Sequence, residues 1–215
     1  CYHHTMVKSP ISRDDYIAYK AFKDGIILQG YEEPADTFSL LGRVGSLEEA
    51  IDFALNSEDL GTLAFALYCD RTDFSRVNIK IPEPVREKVK LKLEGMVHNI
   101  EEHQKVAKAY ELSGELEDAL RHYESAGSIR YSISILKKLG RYAQASAYEE
   151  ELSTKSSDGS LYRAARYAEE AQDFRRAAKL YERIDRFDYA AKNAVSCGDA
   201  QEATRLFNAL IEKEL

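Results

Sequence analysis

The sequence of 215 residues predicts an all-α chain of about a dozen helices, and three observations carry that expectation. All four prolines (Pro10, Pro34, Pro82 and Pro84) precede Val85, so the remainder to Leu215 lacks the residue that helix interiors exclude most strongly. A marker residue recurs in steps of 13 at Gly114, Gly127 and Gly140. After an interruption at Ser153–Asp158, the steps of 13 resume at Gly159, Gln172, Asp185 and Gly198. Each marker is followed at fixed offsets by small or apolar residues.

Two positions on stand Leu116, Ile129, Tyr142, Leu161, Phe174, Phe187 and Ala200. Five positions on the residue is small: Ala119, Ser132, Ala145, Ala164, Ala177, Ala190, Ala203. Nine positions on come Tyr123, Leu136, Ala168, Tyr181, Ala194 and Phe207, with Glu149 as the one break. These offsets differ by three and four, so the three positions line one face of an α-helix. Glycine at the marker supplies the positive φ that ends one helix and lets the next begin. Each unit therefore reads as a helix of about 12 residues plus a one-residue turn, and so short a turn makes neighbours antiparallel. Asp185 tolerates that turn better than Gln172 does.

Along the chain, residues 1–12 read as an extended or disordered N-terminus, and 13–76 as imperfect helical hairpins. In the latter, Gly45 is followed in register by Leu47, Ala50 and Ala54, and Glu58 by Leu60, Leu63 and Leu67. Ser46-Leu-Glu-Glu49 is a capping box that starts the first of these helices. Gln29–Asp36, with Gly30 and Pro34, breaks the pattern. Residues 77–84 form a linker in which Val77-Asn-Ile-Lys-Ile-Pro82 alternates like a short strand. Residues 85–215 make the regular array; one step before Gly114, Glu101 is followed in register by Val106 and Tyr110.

Composition excludes several classes. The longest apolar run, Leu63–Cys69, is far short of the ~20 residues of a membrane span. Cys1–Pro10 lacks the apolar core of a signal peptide, and a start at Cys is expected of a processed or excised piece. Cys1, Cys69 and Cys197 are widely spaced with no CxxC pair, which points to a reducing, cytoplasmic setting rather than a disulfide framework or zinc finger. The net charge of −7 resides mainly in residues 1–85, with 8 Lys/Arg against 14 Asp/Glu, while residues 86–152 carry 11 against 12 and residues 153–215 balance at 11 against 11. An acidic chain is a poor general nucleic-acid binder, so nucleic acid is not the expected partner class.

Glycine, alanine five later and an aromatic four after that resembles the tetratricopeptide repeat. Gly114–Ala119–Tyr123 with Ala126, and Gly198–Ala203–Phe207, match its inter-helix turn and second helix; Ala177–Tyr181 matches without the glycine. The likeness covers residues 100–215. It departs in the length of the hairpin, 26 residues here against about 34 in the family, and in the absence of tryptophan. In style the short hairpins are similar to the α-solenoids of coatomer, clathrin and intraflagellar-transport scaffolds. The resemblance implies a right-handed α-solenoid of antiparallel helix hairpins that binds a protein or peptide partner.

No catalytic, cofactor or metal set is expected. His98 and His103 share no close helical face, no HExxH spacing occurs, and His122 reads as a surface or edge-of-core residue. His3 and His4 belong to the terminus, and Cys69 and Cys197 read as inert buried thiols. Gly42-Arg-Val-Gly45-Ser46 lacks the lysine of a phosphate loop, and no GxSxG elbow exists. Glu32/Glu33, Glu101/Glu102 and Glu149–Glu151 read as solvated charge.

Two surface features suggest a partner site. Arg176, Lys179 and Arg183 share one helix face, with Arg163 and Arg166 on the helix before, interleaved with Glu169, Glu170, Asp173, Glu182 and Asp185. Tyr131 and Tyr162 stand off the register, available for contact, since tyrosine buries large area while keeping a polar tip. The expected function is a non-catalytic scaffold for a protein or peptide, with an acidic one among the candidates. The alternatives are a regulatory or oligomerisation arm of a larger protein and a nucleic-acid-binding helical repeat.

Overall fold

The structure is a computed structural model that describes residues 18–20, 37, 40–41, 45–69, 81–155 and 159–214. The expected N-terminal segment, the break at Gln29–Asp36 and residues 77–80 of the linker lie outside the described residues. Secondary structure among the described residues is helical, and eleven helices have defined bounds. Five belong to a first compact unit, Cys1–Gly127: α1 (Leu47–Asn56), α2 (Leu60–Tyr68), α3 (Glu83–Gly95), α4 (Ile100–Ser113) and α5 (Leu116–Ser125). Six belong to a second, Ser128–Leu215: α6 (Ile129–Lys138), α7 (Tyr142–Lys155), α8 (Ser160–Glu170), α9 (Phe174–Glu182), α10 (Phe187–Ser196) and α11 (Ala200–Glu214).

Helix starts follow local chemistry. Ser46 Oγ accepts from Glu49 N, and the Glu49 carboxylate accepts from Ser46 N, both at 3.1 Å, closing the expected capping box. A second box not foreseen from sequence joins Asn99 and Glu102 at the start of α4. Asp59, Asp173 and Asp199 accept backbone N–H groups at the starts of α2, α9 and α11.

All seven markers adopt positive φ, from 57° at Asp185 to 83° at Gly114, with Gln172 at 60°. The chain turns by the same device after five of them. The N–H following Gly114, Gly140, Gln172, Asp185 and Gly198 donates back to the carbonyls of Tyr110, Leu136, Ala168, Tyr181 and Ala194 at 2.8–2.9 Å. This 6→1 bond satisfies a carbonyl that the helix end leaves open. The connectors are longer than the expected single residue, running from two residues (114–115) to four (183–186). Closing a 6→1 bond takes the residues flanking the marker out of the helix as well. Part of the interruption at Ser153–Asp158 is absorbed by lengthening α7 to 14 residues.

The register describes the core. Every residue five after a marker or its earlier equivalents is buried: Ala50, Leu63, Val106, Ala119, Ser132, Ala145, Ala164, Ala177, Ala190 and Ala203. Small side chains here let axes approach, close enough for Ser146 Oγ on α7 to donate to the Ala164 carbonyl of α8 at 2.8 Å. The ninth position is also buried, except at Phe207, which is 46% exposed while Leu206 beside it is fully covered. On α11 Leu206 takes the covered place that the ninth position holds elsewhere.

In the second unit each helix packs on the next, from α6 through α11. Its core gathers Ala164, Ala165, Ala168, Ala177, Leu180, Tyr181, Ala190, Ala191, Ala194 and Leu206. The first unit is less regular: α1 packs on α2 and α3, α2 on α3 and α4, and α4 on α5.

Candidate functional site

All seven residues expected to contact a partner lie in the second unit. Arg176 stands in the first turn of α9 and Arg183 caps its end, seven residues apart and hence on one face. Both point at Glu150 of α7. Arg176 Nη2 donates to Glu150 Oε2 at 2.8 Å, and Arg183 Nη1 donates to Glu150 Oε1. Burial alone would raise the Glu150 pKa, but the two guanidinium bonds outweigh it and hold the carboxyl below its usual range. All three side chains keep about a third to a half of their surface exposed, 36%, 48% and 32% respectively.

Lys179, between the two arginines in sequence, acts on a different carboxylate. It is exposed and adds its charge to that of Arg205 in holding the Glu202 carboxyl of α11 below its usual range. Arg163 is turned inward. Its Nε donates to Glu149 Oε1 at 2.8 Å, and its Nη2 to Ser160 Oγ at 3.0 Å. Glu149 was expected to be solvated; the structure buries it to 4% exposure, because it occupies the ninth register position that other units fill with Tyr, Leu or Ala. That charge in an apolar stripe was the one sequence signal that a cation must come to meet it.

Arg166 and Tyr162 belong to a second group. The Arg166 guanidinium lies 3.6 Å from Glu169 and bonds to Tyr162, which holds its pKa above the usual range. Tyr162 packs edge-on against Tyr181 and Tyr189, and Tyr181 stacks on Tyr189 with ring centroids 5.0 Å apart. Glu169 receives the Tyr181 hydroxyl at 3.1 Å and the Asn193 amide at 2.7 Å, while Arg186 lies over the Tyr189 ring. Burial and the Glu169 charge raise the Tyr181 pKa, so its hydroxyl remains a donor. Tyr131 is on α6 and 59% exposed.

The first unit holds a polar cluster that sequence reading missed. Glu94 Oε1 on α3 accepts from Tyr110 Oη of α4, His122 Nε2 of α5 and Arg121 Nη2, each at 2.8 Å. His122, expected at the surface or core edge, is 1% exposed and stacks on Tyr110. With its proton on Nε2 toward Glu94, its Nδ1 accepts from His103 Nδ1, 2.9 Å away. Although burial would raise its pKa, the bonds from Arg121, His122 and Tyr110 hold Glu94 at about 2. Desolvation lowers the His122 pKa, so the imidazole is kept neutral. The cluster ties α3, α4 and α5 together around a carboxylate held ionised and an imidazole whose pKa is lowered by burial.

Cys69 is buried and donates to the Ala66 carbonyl, while Cys197 is half-buried, less enclosed than expected. Gly45 and Ser46 serve helix punctuation. Among the described residues, no group of three or more His, Cys, Asp and Glu side chains is placed to hold a metal ion, and no helix is long and apolar enough to cross a membrane. No protein-family model matches the chain, and no curated protein matches it.

Proposed function

We propose that the chain is a non-catalytic interaction scaffold, a tetratricopeptide-like right-handed α-solenoid of antiparallel helix hairpins that receives a protein or peptide segment on its second unit. The observation that carries this reading is the recurrence of a positive-φ turn and one buried small residue through seven successive repeats. Repetition of a single helix–turn unit builds extended surfaces, and such surfaces are used for partner docking rather than chemistry. The candidate face comprises Arg163, Arg166, Arg176, Lys179 and Arg183, with Tyr131 and Tyr162. Arg176, Lys179 and Arg183 steer an acidic segment, while the half-exposed tyrosines supply contact area.

Affinity capture of binding proteins from a native extract tests this, followed by a purified binary titration. The wild type is compared with the variant Arg176→Glu/Lys179→Glu/Arg183→Glu. Loss of a partner that the wild type binds directly, with helical content unchanged, supports the reading. Retained nucleic acid that nuclease removes, or a partner indifferent to the three reversals, contradicts it.

A further inference from the structure

We propose that Arg176 and Arg183 form a carboxylate clamp whose internal occupant, Glu150, must be displaced before an acidic peptide binds. This rests on the interaction-scaffold reading above and names the regulation of that same face. Two guanidinium groups from α9 converge on one carboxylate of α7, each through a direct N–H donor, in the arrangement that recognises an acidic side chain of a partner.

The occupant is exchangeable. Glu150 is 32% exposed and both arginines are reachable from solvent, so an incoming carboxylate can take over the same donors without opening the core. Its neighbour Glu149 makes the contrast: at 4% exposure the carboxylate itself lies enclosed in the seam, although its partner Arg163 keeps 38% of its side chain exposed. Adjacent acids in one helix thus do different work, one bracing the fold and one filling a surface site. Arg175 and Lys179, both exposed, add positive charge to the same helix. A peptide is favoured over nucleic acid because residues 153–215 balance 11 cations with 11 acids, too few free charges to follow a phosphate backbone.

Displacement lowers the apparent affinity by the fraction of time the clamp stands open. If Glu150 fills it about nine-tenths of the time, neutralising that residue strengthens binding about tenfold. The test is fluorescence anisotropy of a labelled hexaglutamate peptide with wild type, Glu150→Gln and Glu150→Ala, with hexaglutamine and a short single-stranded oligonucleotide as comparison probes. Both variants are expected to bind hexaglutamate about tenfold more tightly than wild type, with a steeper salt dependence. Adding Arg176→Glu/Arg183→Glu should remove that binding in either background. Wild-type binding with no gain in either variant overturns the clamp while leaving the acidic-partner reading intact. Absence of hexaglutamate binding by every protein overturns both. A gain for the oligonucleotide or for hexaglutamine in place of hexaglutamate also overturns it.

Discussion

Arg163 Nε donates to Glu149 Oε1 at 2.8 Å, so the single charged residue in the buried ninth register position is met by a cation from the following helix. The pair explains how a repeat built on small and apolar side chains tolerates an acid in its seam. A buried carboxylate is strongly destabilising only when its partner is removed. Arg163→Met should therefore cost about 2–3 kcal/mol, below the range for fully enclosed pairs because Arg163 is 38% exposed. Glu149→Leu/Arg163→Leu should recover most of that loss. Urea unfolding monitored by circular dichroism measures both; a single variant as stable as wild type would show that the pair is dispensable.

Gln172 and Asp185 occupy left-handed turns that glycine fills at the other five markers. A side chain there costs roughly 1–2 kcal/mol, offset in part by the greater freedom glycine adds to the unfolded chain. Gln172→Gly should stabilise the protein by about 0.5–1 kcal/mol, a rise of a few degrees in Tm. Gly114→Ala should destabilise by about 1 kcal/mol, for backbone reasons alone, since an added Cβ meets nothing within 4 Å. Differential scanning calorimetry reads both signs, and a lower Tm for Gln172→Gly contradicts the argument.

Ala145 and Ala147 stand two residues apart on α7, one buried at the seam and one exposed. Ala145→Leu should overpack the seam at a cost of about 1–3 kcal/mol, whereas Ala147→Leu should fall within about 0.5 kcal/mol of wild type. Equal effects would mean that the small-residue stripe is not what sets helix spacing.

Glu94 is held at about 2 in the folded protein, below the ordinary carboxylate value, and His122 is held neutral below its ordinary value. Both signs favour the folded state at neutral pH. The Glu94 contribution is complete above about pH 4.5 and is lost as pH falls toward about 2. Below about pH 6.5 the unfolded chain takes up a proton at His122 that the folded chain resists, so acidification erodes stability there too. Thermal unfolding between pH 8 and pH 3 should show a falling Tm on acidification, and Glu94→Gln should flatten its lower part. A Tm that rises toward pH 5 would contradict the cluster as described.

The register was legible because it is local. Gly114, Ala119 and Tyr123 announce a turn, a close approach and a core residue within ten positions, and backbone sterics with side-chain volume decide all three. Even Gln172, which has no intrinsic preference for the turn, was placed by counting. What could not be read was which charges meet. Glu150 finds Arg176 and Arg183 at sequence separations of 26 and 33, and Glu94 finds His122 at 28. Those pairings depend on how helices pack beside one another, which spacing within one helix does not encode. Glu149 lay between the cases: it read as a break in the register and as solvated charge, although its ninth position is a buried one, and only the packing of α7 on α8 identifies Arg163 as its partner.

The most direct test of the scaffold reading is a hydrogen-exchange footprint of the purified protein with and without its captured partner, resolved by peptide fragments. Protection is predicted over α8 and α9, with α7 joining around Glu150, and should disappear in Arg176→Glu/Lys179→Glu/Arg183→Glu. Protection confined to residues 47–127, or a footprint unchanged by the three reversals, would contradict the account.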